Sequence, residues 1–170
     1  MSAELVVLTV LLLVIASAVC SGLNIGLMSL DLHELRRKSK LGDKQAKRAY
    51  YFRKNAHLSL ASILLSNVAF NSTAAIVLGS QLNGFIAAAL STLLLVVFSE
   101  LLPQAIFTRK ALFFIAGFAP VLRLMIFVTF PISKPLQLAL DRMFGPEGAK
   151  RLHPRHELGL IIDDHLDEPS

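Results

Sequence analysis

Residues 56–108 carry one formal charge, Glu100, when His57 is counted neutral. An apolar stretch of that length is hard to place in a soluble core, but it suits a bilayer, which an α-helix crosses with about 20 mostly apolar residues. The stretch holds enough residues for two such helices, and "GSQLNG", Gly79 to Gly84, supplies the turn between them. Spans are therefore expected over about 57–78 and 84–107. A further uncharged run begins at Leu5 and predicts another span over about 5–30. Its end, "ASAVCSGL", has the look of a cleavage site. Against that, Glu4 stands where a signal peptide has Lys or Arg, and the run exceeds the usual apolar core of about 7–15 residues.

Composition agrees with a membrane protein. Hydrophobic residues make up 54% of the chain and charged residues 17%, below the roughly 25% of soluble domains. Net charge is +5, but the basic residues flank apolar segments, so membrane topology explains them better than nucleic acid does. The single cysteine, Cys20, excludes an intrachain disulfide and fits no Cys/His zinc spacing.

Between the first two spans, residues 31–57 hold nine Lys/Arg and three Asp/Glu. Asp31 is placed to cap a short helix, with Glu34 three positions on in a variant of the capping box. Leu41-Gly42-Asp43 then reads as a turn, and Asp43 starts a second basic helix. The N-terminus and the 79–83 loop contain no Lys or Arg, while residues 33–57 and 109–110 are strongly basic. The positive-inside rule therefore puts this helical hairpin in the cytosol, the N-terminus outside and the C-terminus inside. A fourth span after Lys110 would carry Lys134, Arg142, Lys150 and Arg151 outward. Residues 111–145, with Pro120, Pro131 and Pro135, are instead expected to form broken, Pro-kinked amphipathic helices along the inner leaflet. The tail, residues 151–170, reads as a solvated linker rather than a metal site, despite its three histidines.

Polar residues recur inside the spans: Ser21, Gly22, Asn24 and Gly26 on the first; Ser66, Asn67, Asn71 and Ser72 on the second; Ser91, Thr92, Ser99, Glu100 and Gln104 on the third. With the assigned orientations, Ser21, Asn67 and Glu100 fall at depths agreeing within about one helical turn. Asn67 and Asn71, four apart, share a helix face. Pro103 has no amide hydrogen for the Ser99 carbonyl, which leaves a backbone oxygen beside Glu100. A carboxylate, two amide oxygens, hydroxyls and spare carbonyls suit a hard cation such as Mg²⁺, Ca²⁺ or Mn²⁺, with Na⁺ as a competitor. A bland reading also exists, in which the serines only bond neighbouring helices and Gly22-x-x-x-Gly26 is a packing face. Glu100 resists that reading, because an intramembrane carboxylate is costly and the spans offer it no Lys or Arg.

Four motifs in order, "SGLNIGLMSLDLHELR" (Ser21 to Arg36), "LLSNVAFNSTAAI" (Leu64 to Ile76), "FSELLPQAIFTRK" (Phe98 to Lys110) and "FVTFPISKPLQLALDRMFG" (Phe127 to Gly145), resemble the DUF21 transmembrane domain of the cyclin M (CNNM) and CorC magnesium transporters. The resemblance covers about residues 5–155, and it makes 1–150 the membrane domain and 151–170 the start of a linker. It implies an all-α, homodimeric membrane protein with three transmembrane helices, a cytosolic helical hairpin and a juxtamembrane belt. By the same resemblance the metal ligands are Ser21, Asn67, Asn71 and Glu100; the polar residues of the spans add Asn24, Ser66 and the Ser99 backbone carbonyl as lesser candidates. The first motif reads Ser-Gly-Leu-Asn-Ile-Gly where many bacterial members have Ser-x-x-Glu-Thr-Ala.

The function so implied is Mg²⁺ efflux coupled to Na⁺ by alternating access in the plasma membrane, with regulation by a cytosolic CBS-domain pair that binds ATP. The chain is read as a module truncated before that pair. The competing expectation is a non-transporting dimeric scaffold or sensor, joined through small-residue faces, that relays to cytosolic domains. An enzyme is not expected, because no Ser/His/Asp or paired-carboxylate arrangement falls within a span.

Overall fold

In the computed structural model, residues 2–81 and 84–145 are described, and among them every regular element is helical. The first long apolar run forms α1 (Ala3–Ser29). Its exit is followed at once by two short basic helices, α2 (Leu32–Lys40) and α3 (Lys44–Lys54), each started by an aspartate. Asp31 Oδ1 accepts from the amides of His33 and Glu34 at 2.7 and 3.0 Å. Asp43 Oδ1 does the same for Gln45 and Ala46 at 2.9 and 3.2 Å. These bonds satisfy amides that have no partner inside the helix. The expected reciprocal reach of Glu34 is replaced by an ion pair with Lys38 at 2.7 Å, which holds the Glu34 carboxyl below the usual range. Gly42, at φ +93°, makes the turn between the two helices.

The next two runs form α4 (Ala56–Gly79) and a helix in three parts: α5 (Phe85–Leu95), a π-helical segment (Val96–Leu101) and α6 (Leu102–Arg109). The ends of all three long helices lie within a few residues of those expected from hydropathy. The expected 79–84 turn includes residues 82 and 83, which lie outside the described residues.

After Lys110 come α7 (Ala111–Gly117) and α8 (Ala119–Phe144). Helices are found over the residues expected, 111–145, but the break does not fall at a proline. The chain breaks once, at Phe118, and α8 then continues for 26 residues with Pro131 and Pro135 inside it. Each proline removes one amide donor and crowds the carbonyl four residues back, but the helix continues past both. Four helical stretches among the described residues, including α8, are long and apolar enough to cross a membrane. Among the described residues the two ends of α8 have different neighbours. Near its start, Arg123 lines a depression with Lys44, Lys47 and Arg48 of α3. Near its end, Asp141 Oδ1 lies 2.6 Å from Nδ1 of His57, at the head of α4. The tail expected as a linker, 151–170, lies outside the described residues, as do Lys150 and Arg151.

The buried core gathers at the end of α1 nearest the hairpin, where Leu23 and Leu27 meet Phe52, Phe107, Ile115 and Leu122. Arg53, 7% exposed, ties the hairpin to this core through Nε–H to the Leu30 carbonyl at 3.0 Å. Toward the other end of the long helices, Leu8, Leu11, Leu12, Ile76, Phe85 and Ile86 are exposed. Apolar surface so extensive is a solvation problem in water and none in hydrocarbon. The chain is a multi-pass membrane protein.

Candidate cation site

Three helices contribute polar side chains to one cluster. On α1, Ser17 and Ser21 are one turn apart and buried, at 0% and 2% exposure. Asn67 and Asn71, also one turn apart, face them from α4, and Ser99 enters from the π-helical segment. Ser17 Oγ lies 2.5 Å from Asn67 Oδ1 and 2.7 Å from Asn71 Oδ1. Ser99 Oγ lies 3.1 Å from Asn71 Oδ1, and it also reaches the Leu95 carbonyl at 2.7 Å. The Asn67 amide donates to Ser21 Oγ at 3.2 Å, and the Asn71 amide to Asn67 Oδ1 at 3.4 Å.

Acceptors compete for the hydroxyl hydrogens in this network. A serine hydroxyl has one hydrogen to donate, yet Ser17 stands within bonding distance of two amide oxygens. Ser99 has one too, and the Leu95 carbonyl, the nearer acceptor, competes for it. Four oxygens (Ser17 Oγ, Asn67 Oδ1, Asn71 Oδ1 and Ser99 Oγ) are therefore held together, with the Ser17 hydrogen available to one amide oxygen at a time and the Asn71 amide left to serve Asn67 Oδ1. Neighbouring ligands of an octahedral Mg²⁺ with metal–oxygen bonds of about 2.1 Å lie about 3 Å apart. The serine–amide spacings here, 2.5–3.1 Å, are close to that. Among the described residues no group of three His, Cys, Asp or Glu comes together, so the chemistry of the cluster is that of hard, neutral oxygen.

The structure thus brings Ser21, Asn67 and Asn71 together, as expected, and adds two hydroxyls. Ser17 was missed. The signal was present, since Ser17 precedes Ser21 by the same four residues that separate the two asparagines. Ser99 was expected to act through its carbonyl, but it is the hydroxyl that reaches the cluster. Glu100 is half-buried and, among the described residues, makes neither a hydrogen bond nor an ion pair. It stands one residue from Ser99 without joining the cluster. Asn24 is half-buried and is not joined to it either. Ser66 turns back to the Ser62 carbonyl at 2.8 Å, a bond that spends its hydroxyl within α4.

The π-helical segment explains how Ser99 is presented. The Leu102 amide bonds the Val97 carbonyl, five residues back, just ahead of Pro103, which has no amide hydrogen. Such bulges put an extra residue into a helix and recur at functional sites. Gly22 and Gly26, expected as a packing face, are used within the chain: Gly22 lies under the Phe107 ring and Gly26 opposite Ile115.

Residues 7–168 match the family described as Cyclin M transmembrane N-terminal domain. The chain is 41% identical over 135 residues to metal transporter cnnm-1 of Caenorhabditis elegans, covering 77% of this chain and 17% of that protein. It is 34% identical over 163 residues to DUF21 domain-containing protein At4g33700 of Arabidopsis thaliana, covering 94% of this chain and 38% of that protein. A third relative, DUF21 domain-containing protein At1g47330 of the same plant, is 35% identical over 97% of this chain and 32% of its own length. The chain therefore spans well under half the length of these relatives.

Proposed function

The chain belongs to the cyclin M transmembrane-domain family, and from that premise we propose that it is the membrane domain of a Mg²⁺ transporter exporting the ion in exchange for Na⁺ by alternating access. The observation that carries the proposal is the convergence of Ser17, Asn67, Asn71 and Ser99 oxygens from three helices at serine–amide spacings of 2.5–3.1 Å. Mg²⁺ gives up its water reluctantly, so a pre-gathered oxygen set lowers the cost of entry. The name of the worm relative, a metal transporter, supports the same cargo class.

Four neutral oxygens do not balance a divalent charge, and Glu100 is the carboxylate at hand. Successive residues of an α-helix are about 100° apart. Converting the π-helical segment to regular α-helix would turn one flank by about that amount and exchange Ser99 for Glu100 at the cluster. In this mechanism one helical register holds the empty site and the other holds the loaded one. Purified protein in liposomes with an internal Mg²⁺ dye tests the reading. Wild type is expected to carry Mg²⁺, and Glu100→Gln to lose most of the flux; Glu100→Gln flux equal to wild type would overturn it.

The proposed topology has three spans, with the N-terminus outside and the C-terminus in the cytosol, in the plasma membrane. The surroundings of the two ends of α8 support it. Arg123 and Asp141 are separated by about 27 Å of helix, yet the first lines a depression with the basic hairpin and the second bonds His57 at the adjoining head of α4. A helix lying along the inner leaflet meets both requirements, whereas a spanning one would part them by the bilayer's depth. Cysteines introduced as Arg123→Cys and Met143→Cys are expected to react with an impermeant maleimide from the same, cytosolic side; labelling from opposite sides would restore a fourth span. Cys20, 1% exposed, gives little background.

The protein is proposed to act as a homodimer without enzymatic activity. A cytosolic CBS pair is proposed within the remaining length of the whole protein.

A further inference from the structure

Two depressions on the hairpin side of the molecule share a wall. The first, about 400 Å³, is lined by Lys44, Lys47, Arg48 and Tyr51 of α3 and by Arg123 of α8. The second, about 600 Å³, continues from Tyr51 and Arg123 along Ile126, Phe127, Phe130 and Pro131. One is cationic and the other apolar, and Tyr51 and Arg123 belong to both.

Among the described residues none of the four cations has a carboxylate partner. The acid beside them in sequence, Asp43, turns one carboxylate oxygen to the Gln45 and Ala46 amides and forms no ion pair with any of the four. Four like charges around one hollow repel each other, and an anion placed there relieves them all. Phe127, 79% exposed, and Phe130, 46% exposed, extend the surface in the direction an acyl chain would take. A soluble anion would use the first hollow and leave the second empty; an amphiphile uses both.

We propose that this composite depression binds an anionic phospholipid of the inner leaflet, its headgroup between Lys47, Arg48 and Arg123 and one acyl chain along Phe127 and Phe130. Basic pockets at the cytosolic edge of membrane helices recognise such headgroups. The lipid would bridge α3 and α8, and so clamp the hairpin to the helix that leaves the membrane domain. The site is separate from the cation cluster and holds whichever ion is carried.

The test offers phosphatidylserine and phosphatidylcholine together to the purified protein in detergent and reads the retained lipid by native mass spectrometry. Phosphatidylserine is expected to be preferred by about tenfold or more. The double variant Arg48→Gln/Arg123→Gln is expected to lose that preference with its thermal unfolding unchanged. Arg36→Gln/Lys40→Gln, which removes the same charge from α2, is expected to keep it. Soluble glycerophosphoserine is expected not to displace the lipid. Preference surviving in the first variant, equal loss in both variants, or displacement by the soluble headgroup at equal concentration would each overturn the proposal. Should the double variant unfold, Arg123→Gln alone is read in the same way.

Discussion

Asn71→Leu is expected to weaken Mg²⁺ binding by more than about 100-fold, since loss of an outer-shell partner alone costs about 10–100-fold. Asn71 is the choice because its Oδ1 faces both hydroxyls that approach from other helices, Ser17 at 2.7 Å and Ser99 at 3.1 Å. Leucine keeps the volume roughly and removes the oxygen. Asn71→Asp keeps the oxygens and adds a charge, so it is expected to retain binding. Calorimetric titration of the two variants and wild type, with thermal unfolding alongside, separates a ligand from a structural residue. A leucine variant that binds Mg²⁺ like wild type would remove the cluster from the transport path. An aspartate variant as defective as leucine would mean that the amide matters as a helix–helix bond and not as a ligand.

The second large effect concerns packing. Gly22→Ala is expected to destabilise the protein by about 1–3 kcal/mol, the usual cost of overpacking a filled core. A Cβ at Gly22 would lie 2.5 Å from Cγ and Cδ2 of Phe107. That ring has little room to retreat, because it stacks on Phe114 at 4.3 Å between centroids and lies 6.0 Å from Phe118. Gly26→Ala meets nothing nearer than Ile115 Cδ1 at 3.7 Å, an ordinary contact. It is expected to be neutral, or to stabilise by up to about 1 kcal/mol through the better helix propensity of alanine. Thermal unfolding in detergent reads both, and equal damage from the two substitutions would contradict the packing described. The contrast also bears on the scaffold reading, which joined two copies through these glycines: both are covered inside one chain.

The membrane character of the chain and the placing of its helices were legible because they rest on local properties. Apolar runs of the right length, aspartates ahead of basic helices and a glycine at a turn each act within a few residues. The asparagine pair was legible for the same reason, since residues four apart share a helix face. Ser17 was harder, because a serine in a membrane helix is commonplace and only a partner opposite gives it a role. Glu100 drew attention as the one charge in residues 56–108, yet the cluster forms without it. Its neighbour Ser99 is turned inward by a π-helical segment that no periodicity announces, although Pro103 marks a missing donor nearby.

What the sequence determined by itself is the set of long helices, their caps and the residue types available to a hard cation, all consequences of short-range chemistry and hydropathy. The tertiary structure decided which of those oxygens meet. It also decided that α8 runs unbroken through two prolines between the basic hairpin and His57, and that the two glycines differ in what covers them. These outcomes depend on how helices distant in sequence cross, and on a one-residue shift of register within a single helix, neither of which a local pattern encodes.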